Sequence, residues 1–369
     1  MTNTTLMAMP LFIFMGLVLE KSGIAERLLG NISQLFGFLR GGMALGVVFV
    51  GVLLAASTGV VGASVVMMGV IAIPSMLSAR YAPSFASGVV TASGTLGQII
   101  PPSIVLILLG DVLQISVGDL FAAALLPSAI LVGLYLAYIL ALCFFRPDVA
   151  PATKSNANLR VLVLDTLKYS LPPVALISVV LGGILAGLAT PSEASALGAA
   201  GAVLLTILLR SFSFSLLRYA ALQTVLFSGL IFAILIGASA FTLVFNETEG
   251  GDLIFALFEQ SENRWTFILV AMLIVFVLGF LIDFIEICFI VVPLFVPLIA
   301  YFEIDALWFA ILLALNLQTS FLTPPFGFAL FYLKGAMGNA LHTLEIYKGA
   351  VPFIVLQLVL LLLFPQIVI

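Results

Sequence analysis

Charge is what this sequence has least of. Of its 369 residues only 8% are charged, whereas 63% are apolar. A soluble domain carries roughly 25% charged residues, so a water-facing surface is excluded. Apolar runs of about 20 residues, the length that crosses a bilayer as a helix, recur between short polar breaks. They are continuous rather than alternating, which excludes a membrane barrel and leaves helices. Histidine is almost missing, with His342 alone in a polar stretch. Cys143 and Cys288 lie far apart in apolar segments. Neither a disulfide framework nor a zinc or iron site follows from these residues. No glycine-rich phosphate loop occurs, which argues against ATP-driven transport by this chain alone. Met1 to Thr5 lacks the basic residues of a secretory leader.

The scarce charges are sorted by side. Lys21, Arg27, Arg40, Arg80, Arg146, Lys154, Arg160, Lys168, Arg210, Arg218, Lys334 and Lys348 fall in loops that alternate along the chain, twelve of the thirteen basic residues. Basic loops are cytoplasmic. Asp111, Asp119, Glu193, Glu247, Glu249, Asp252, Glu259, Glu262, Glu303 and Asp305 mark the other side, where Arg264 is the exception. By this assignment segment 43–78 has both ends in the cytoplasm and segment 265–303 has both ends outside. Each is about 35 residues, too long for one span and too short for two with a loop. Both are predicted to be re-entrant helical hairpins pointing at each other.

An internal repeat supports that reading. An offset of 223 places Pro101-Pro102 on Pro324-Pro325 and Pro74 on Pro297 without a gap. The two copies are oppositely oriented, which is the pattern of secondary transporters. The expected layout is a first repeat over residues 1–145, a cytoplasmic linker over 146–168 and a second repeat over 169–369. The stretch Gly182 to Glu193 precedes a helix whose counterpart would lie before Met1, so the first copy is expected to be one helix short.

Proline pairs inside a span break the helix, and segments 84–110 and 306–333 are predicted to be spanning helices unwound near their middles. Unwinding frees backbone carbonyls, which suit a hard cation such as sodium, while helix N-termini suit a carboxylate. One candidate sodium site joins Ser57, Thr58 and Gly59 at the first hairpin tip to Ser93, Gly94, Thr95 and Gly97. The other joins Asp283 and Glu286 at the second tip to Thr319, Ser320 and Thr323. Substrate is expected between the tips, near Ser57, Thr58, Ser64, Asn316 and Gln318, beside the bends at Pro101 and Pro324. Asp283 and Glu286 are read as the carboxylates within a membrane segment, three apart and on one helix face. They could bind sodium, carry protons or cap the hairpin's second helix. The run Ala55 to Ser64 is rich in small residues, which serve close approach to a ligand or to another helix.

At these positions the chain resembles the large membrane subunit of the tripartite ATP-independent periplasmic (TRAP) transporters. The likeness is carried by Pro10 to Gly16 with Ser22 to Ala25, the tip at 57–64, Gly97 to Ser103, Gly182 to Glu193, Asp283 to Glu286, and Asn316 to Gly327. It spans essentially the whole chain. The resemblance implies an inverted-repeat, elevator-type ion-transporter fold with two re-entrant hairpins and two discontinuous helices. It implies sodium-coupled uptake of small organic acids across the bacterial inner membrane, with Na+ at each hairpin tip and no organic cofactor. The implied partners are a small four-helix membrane subunit, a periplasmic solute-binding protein and the lipid bilayer, with no nucleic acid. Many members carry an Asp at the first tip where this chain has Gly62-Ala63-Ser64. A stand-alone carboxylate symporter of similar design is the alternative. An ion channel lacks a pore-lining charged ring, and an enzyme would have only Asp283 and Glu286 to work with.

Overall fold

The structure is a computed structural model describing residues 4–152, 159–251, 256 and 263–367. Every described element is helical. Seven of the described helices are long and apolar enough to cross a membrane, or eight if one bent pair counts as a span. That pair is α1 (Thr4–Lys21) and α2 (Ile24–Leu35), bent by 52°. The bend falls at Gly23, whose φ of 75° suits glycine. Helix α2 is amphipathic, burying Ile24, Ala25, Leu28, Leu29 and Ile32 and leaving Glu26 and Arg27 exposed.

The first hairpin is α3 (Gly42–Thr58) and α4 (Val61–Ser78), turned at Gly59 with φ 60°. The first discontinuous helix is α5 (Pro83–Thr95), a 3-10 turn Leu96–Gln98, a bend over 99–103 and α6 (Ile104–Val112). Helix α7 (Val117–Phe145) then crosses in 29 residues. Helices α8 (Leu159–Leu185), α9 (Pro191–Leu208) and α10 (Phe214–Glu247) follow. Residues 159–168, expected within the polar linker, open α8, because Leu162 and its apolar neighbours continue that helix. Helix α9 begins in a capping box: Thr190 Oγ1 accepts from the Glu193 amide and Glu193 Oε2 from the Thr190 amide.

The second hairpin is α11 (Arg264–Leu278) and α12 (Phe284–Tyr301), the latter containing a π-helical stretch Ile287–Val291. The second discontinuous helix is α13 (Ala306–Leu322), a bend over 323–327 and α14 (Phe328–Met337), with α15 (Thr343–Ile367) closing the chain. The offset that aligns the proline pairs also carries Val61 to Phe284, Ser78 to Tyr301 and Pro83 to Ala306, the bounds of matching helices. Pro101-Pro102 and Pro324-Pro325 are both cis.

The hairpins enter from opposite ends of α7. At the base of the first, Gly41 N donates to Ala150 O and Ala82 N to Val149 O, just past the C-terminus of α7. At the base of the second, Arg264, Glu303 and Asp305 share a groove with Ala122 and Ala123 near the N-terminus of α7. The later arms cross over. Helix α14 packs on α4 and α6 on α12, so each broken helix touches the hairpin of the other repeat. This is the inverted-repeat fold with paired hairpins and discontinuous helices.

Helices α5 and α15 approach so closely that a Cβ on Gly88 would overlap the Gly349 carbonyl, and one on Gly349 the Ser84 carbonyl. Overpacking of this kind costs about 1–3 kcal/mol. Gly349→Ala is therefore expected to lower the thermal unfolding midpoint. Gly229→Ala in α10, where nothing lies within 4 Å, is expected to leave it equal or higher. Equal midpoints for both variants would contradict the close crossing.

Candidate functional site

The two broken helices lie at the centre of the molecule. Each residue from 85 to 110 is buried, and so is each from Phe309 to Leu322. Backbone carbonyls released by a break must find partners, because lipid offers none. In the first break Ser128 Oγ on α7 donates to Ile99 O at 3.1 Å, and Ser103 Oγ reaches back to Gln98 O at 2.7 Å. In the second, Tyr347 Oη on α15 donates to Pro325 O at 2.8 Å. Pro325 and Phe326 are exposed, so this bend meets its surroundings more openly than the first.

Each hairpin tip sits against the break of its own repeat. Gly97 lies beside Ala55 and Gly59, and a Cβ on Gly59 would come within 3.1 Å of Ile104 N. The symmetry-related contact is Gly279 against Ser320, where a Cβ would overlap the Ser320 hydroxyl. Small residues serve both seams: at the first, backbone meets backbone, and at the second, Gly279 makes room for the Ser320 side chain.

The remaining candidate residues differ in how their polar atoms are used. Ser57, Thr95, Thr319, Ser320 and Thr323 donate to helix carbonyls three or four residues back, at 2.7–2.9 Å. Their hydroxyl protons are used, while oxygen lone pairs remain. Ser93 Oγ, both amide atoms of Gln318 and Glu286 Oε2 are buried without hydrogen-bond partners, as are both amide atoms of the neighbouring Gln98. Asn316 Nδ2 is occupied by Met272 O at 2.7 Å, tying α13 to α11. Gly94 packs on Val65 and Ser64 is buried in α4. Pro101 and Pro324 form the two bends. The Thr58 side chain lies outside the described residues. Asp283 Oδ1 accepts from Phe284 N at 2.7 Å, so capping of α12 is one role that it fills.

A cavity of about 620 Å³ separates the tips. Val60 to Ala63 wall it on one side and Asp283 to Ile285 on the other, with Ile104 and Phe321 between. It extends to Lys21 and Glu26, which are exposed on the basic side of the protein. Its volume suits a small organic molecule. Ser57, Ser64, Asn316, Gln318, Pro101 and Pro324 do not line it. Glu20, Tyr219, Gln223 and Tyr332 do. The expectation that Asp283 and Glu286 are the carboxylates within the membrane segments leaves out Glu20. The apolar run Pro10 to Leu19 in fact continues the helix through Glu20, which is buried.

Fold and cavity together define a polytopic helical membrane protein, and the family it matches makes it a transport protein rather than an enzyme. Over residues 1–368 the chain matches the family described as "Tripartite ATP-independent periplasmic transporter, DctM component", and it belongs to that family of large permease subunits. It is 30% identical to the C4-dicarboxylate TRAP transporter large permease protein DctM of Pseudomonas aeruginosa, over 97% of this chain and 83% of that protein. Identity to the ectoine TRAP transporter large permease protein TeaC of Halomonas elongata is 28%, covering 98% and 85%. Identity to the sialic acid TRAP transporter large permease protein SiaM of Vibrio cholerae is 27%, covering 99% and 85%. The crystal structure of the Alcanivorax borkumensis YdaH transporter shares the fold, with a TM-score of 0.66 at 15% identity over 99% of this chain and 85% of that one.

The cavity's reach to Lys21 sets an accessibility prediction. In oriented vesicles, Ala63→Cys is expected to react with a membrane-impermeant maleimide faster from the basic face than from the opposite one. The native Cys143 and Cys288 are buried and are expected to contribute little. Faster labelling from the acidic face would contradict the geometry.

Proposed function

We propose that this permease imports small organic acids across a bacterial inner membrane, coupled to sodium. A periplasmic binding protein delivers the acid, and a small four-helix subunit accompanies the chain in the bilayer. The observation that carries the reading is the meeting of both hairpin tips, each seated on a broken helix, around one cavity that reaches the basic side. Hydroxyl oxygens with free lone pairs crowd both seams, alongside carbonyls released from helix geometry. Such an oxygen-rich, partly unpaired set suits a hard monovalent cation. Asp283 and Glu286 at the second tip add negative charge beside Thr319, Ser320 and Thr323. Ser57, Gly59, Ser93, Gly94, Thr95 and Gly97 offer neutral oxygens at the first. Relatives named for C4-dicarboxylate, sialic acid and ectoine support an acid as cargo.

In this reading the hairpins and broken helices form the mobile body of an elevator, moving against α1 and α8–α10 with the ions and substrate aboard. The acid's carboxylate is held by bound cations and by backbone amides at the tips. No basic side chain lies in either tip or break, so the ions supply the positive charge.

The test is uptake into proteoliposomes holding the chain, its small subunit and the binding protein. Uptake is expected to require an inward sodium gradient. Uptake driven by a proton gradient without sodium would remove the sodium claim. Asp283→Asn keeps a capping oxygen and is expected to unfold within about 1 kcal/mol of the parent. Its sodium-induced rise in thermal midpoint is expected to fall sharply. An unchanged sodium response would leave Asp283 with capping alone.

A further inference from the structure

Glu20 has no part in the ion sites proposed above, yet by surface exposure it is the least exposed acid on the cavity wall. It is the penultimate residue of α1 and only 8% exposed. Its Oε2 has no hydrogen-bond partner, and the side chain lines the cavity. The neighbouring Lys21 has its ammonium 4.9 Å above the centre of the Tyr219 ring. Lys21 bears on Glu20 electrostatically but leaves Oε2 unpaired, and a buried carboxylate oxygen in that state is unfavourable in a membrane protein unless a cationic donor comes to meet it.

The rest of the wall points the same way. Among the described residues its charged groups are Glu20 and Lys21 on α1, Glu26 on α2 and Asp283 at the second tip. Helix α10 contributes Tyr219 and Gln223, and α14 contributes Tyr332. Three carboxylates therefore face one ammonium. The sodium ions proposed at the tips answer one carboxylate of the substrate, and the second carboxylate of a dianion would be left facing Glu20 and Glu26. A molecule with a carboxylate at one end and a positive centre at the other meets no such conflict. Aromatic faces attract cations, and Tyr219 and Tyr332 stand on the same wall.

We propose that Glu20 is a substrate-recognition residue that binds the positive centre of a zwitterionic organic acid. The ammonium or amidinium end lies at Glu20, and the carboxylate end points to the hairpin tips. The cavity accordingly selects zwitterionic acids over dicarboxylates. This rests on the organic-acid reading above and names the class of acid.

Three short acids that differ at one end test the proposal: β-alanine with an ammonium, propionate with a methyl and succinate with a second carboxylate. The full chain in nanodiscs is titrated with each, with and without sodium, and the thermal unfolding midpoint is followed. In sodium, β-alanine is expected to act at about tenfold lower concentration than propionate, the worth of one charge-assisted hydrogen bond. Succinate is expected to need more than propionate. Glu20→Gln is expected to close the gap between β-alanine and propionate, and Glu20→Asp to keep the order. Succinate acting at or below the β-alanine concentration in the parent protein would overturn the proposal, whether or not Glu20→Gln folds. So would a gap that survives Glu20→Gln, or a failure of all three acids to shift the midpoint. A Glu20-dependent preference that persists unchanged without sodium supports the proposal and removes the coupling claim alone. A sodium-dependent preference for succinate does the reverse.

Discussion

Everything in this molecule follows from the rule that backbone polar groups inside a bilayer must be satisfied by the protein or by enclosed water. The ion binding proposed here at mid-depth would need exposed backbone oxygens there, and an intact helix offers none. The proline pairs create the oxygens by breaking α5–α6 and α13–α14. The remaining helices then have to hide the damage. Ser128 answers Ile99 O and Tyr347 answers Pro325 O, and both donors come from helices outside the broken pair. This is why residues 85–110 are buried without interruption. The most polar stretches of the membrane domain are also its most enclosed.

Enclosure by hairpins rather than by full spans has a geometric cause. A tip that stops at mid-depth can cover a break and still leave room for a ligand beyond it. Close cover needs small residues, supplied by Gly59 and Gly97 in one repeat and by Gly279 and Ser320 in the other. The two repeats share this scaffold but differ in chemistry. The first tip turns at a left-handed glycine without an acidic side chain. The second turns into Asp283, which caps α12, with Glu286 one turn on. The cavity between them inherits this asymmetry, and its negative character comes from the second tip together with α1 and α2.

Much of this was legible because single residues carried it. The proline pairs marked the breaks, and their common offset of 223 marked the repeat. Twelve basic residues sorted to one side marked the hairpins as half-crossing, since a segment of about 35 residues flanked by like loops cannot end on the far side. The start of α9 was visible as Thr190 to Glu193 because a capping box is a local device. Glu20 was not legible in this way, because its burial depends on the packing of α1 against α3, α9 and α10.

The sequence by itself determined the helices, their breaks and the family, because each depends on local composition or on order along the chain. Tertiary structure decided which polar atoms are spent and which are left over. Asn316 is committed to Met272, whereas Gln318, two residues on, has no partner. It also decided that the tips face one cavity with Glu20 on its wall. Those outcomes depend on contacts between residues from tens to hundreds of positions apart, and helix periodicity carries no information about them.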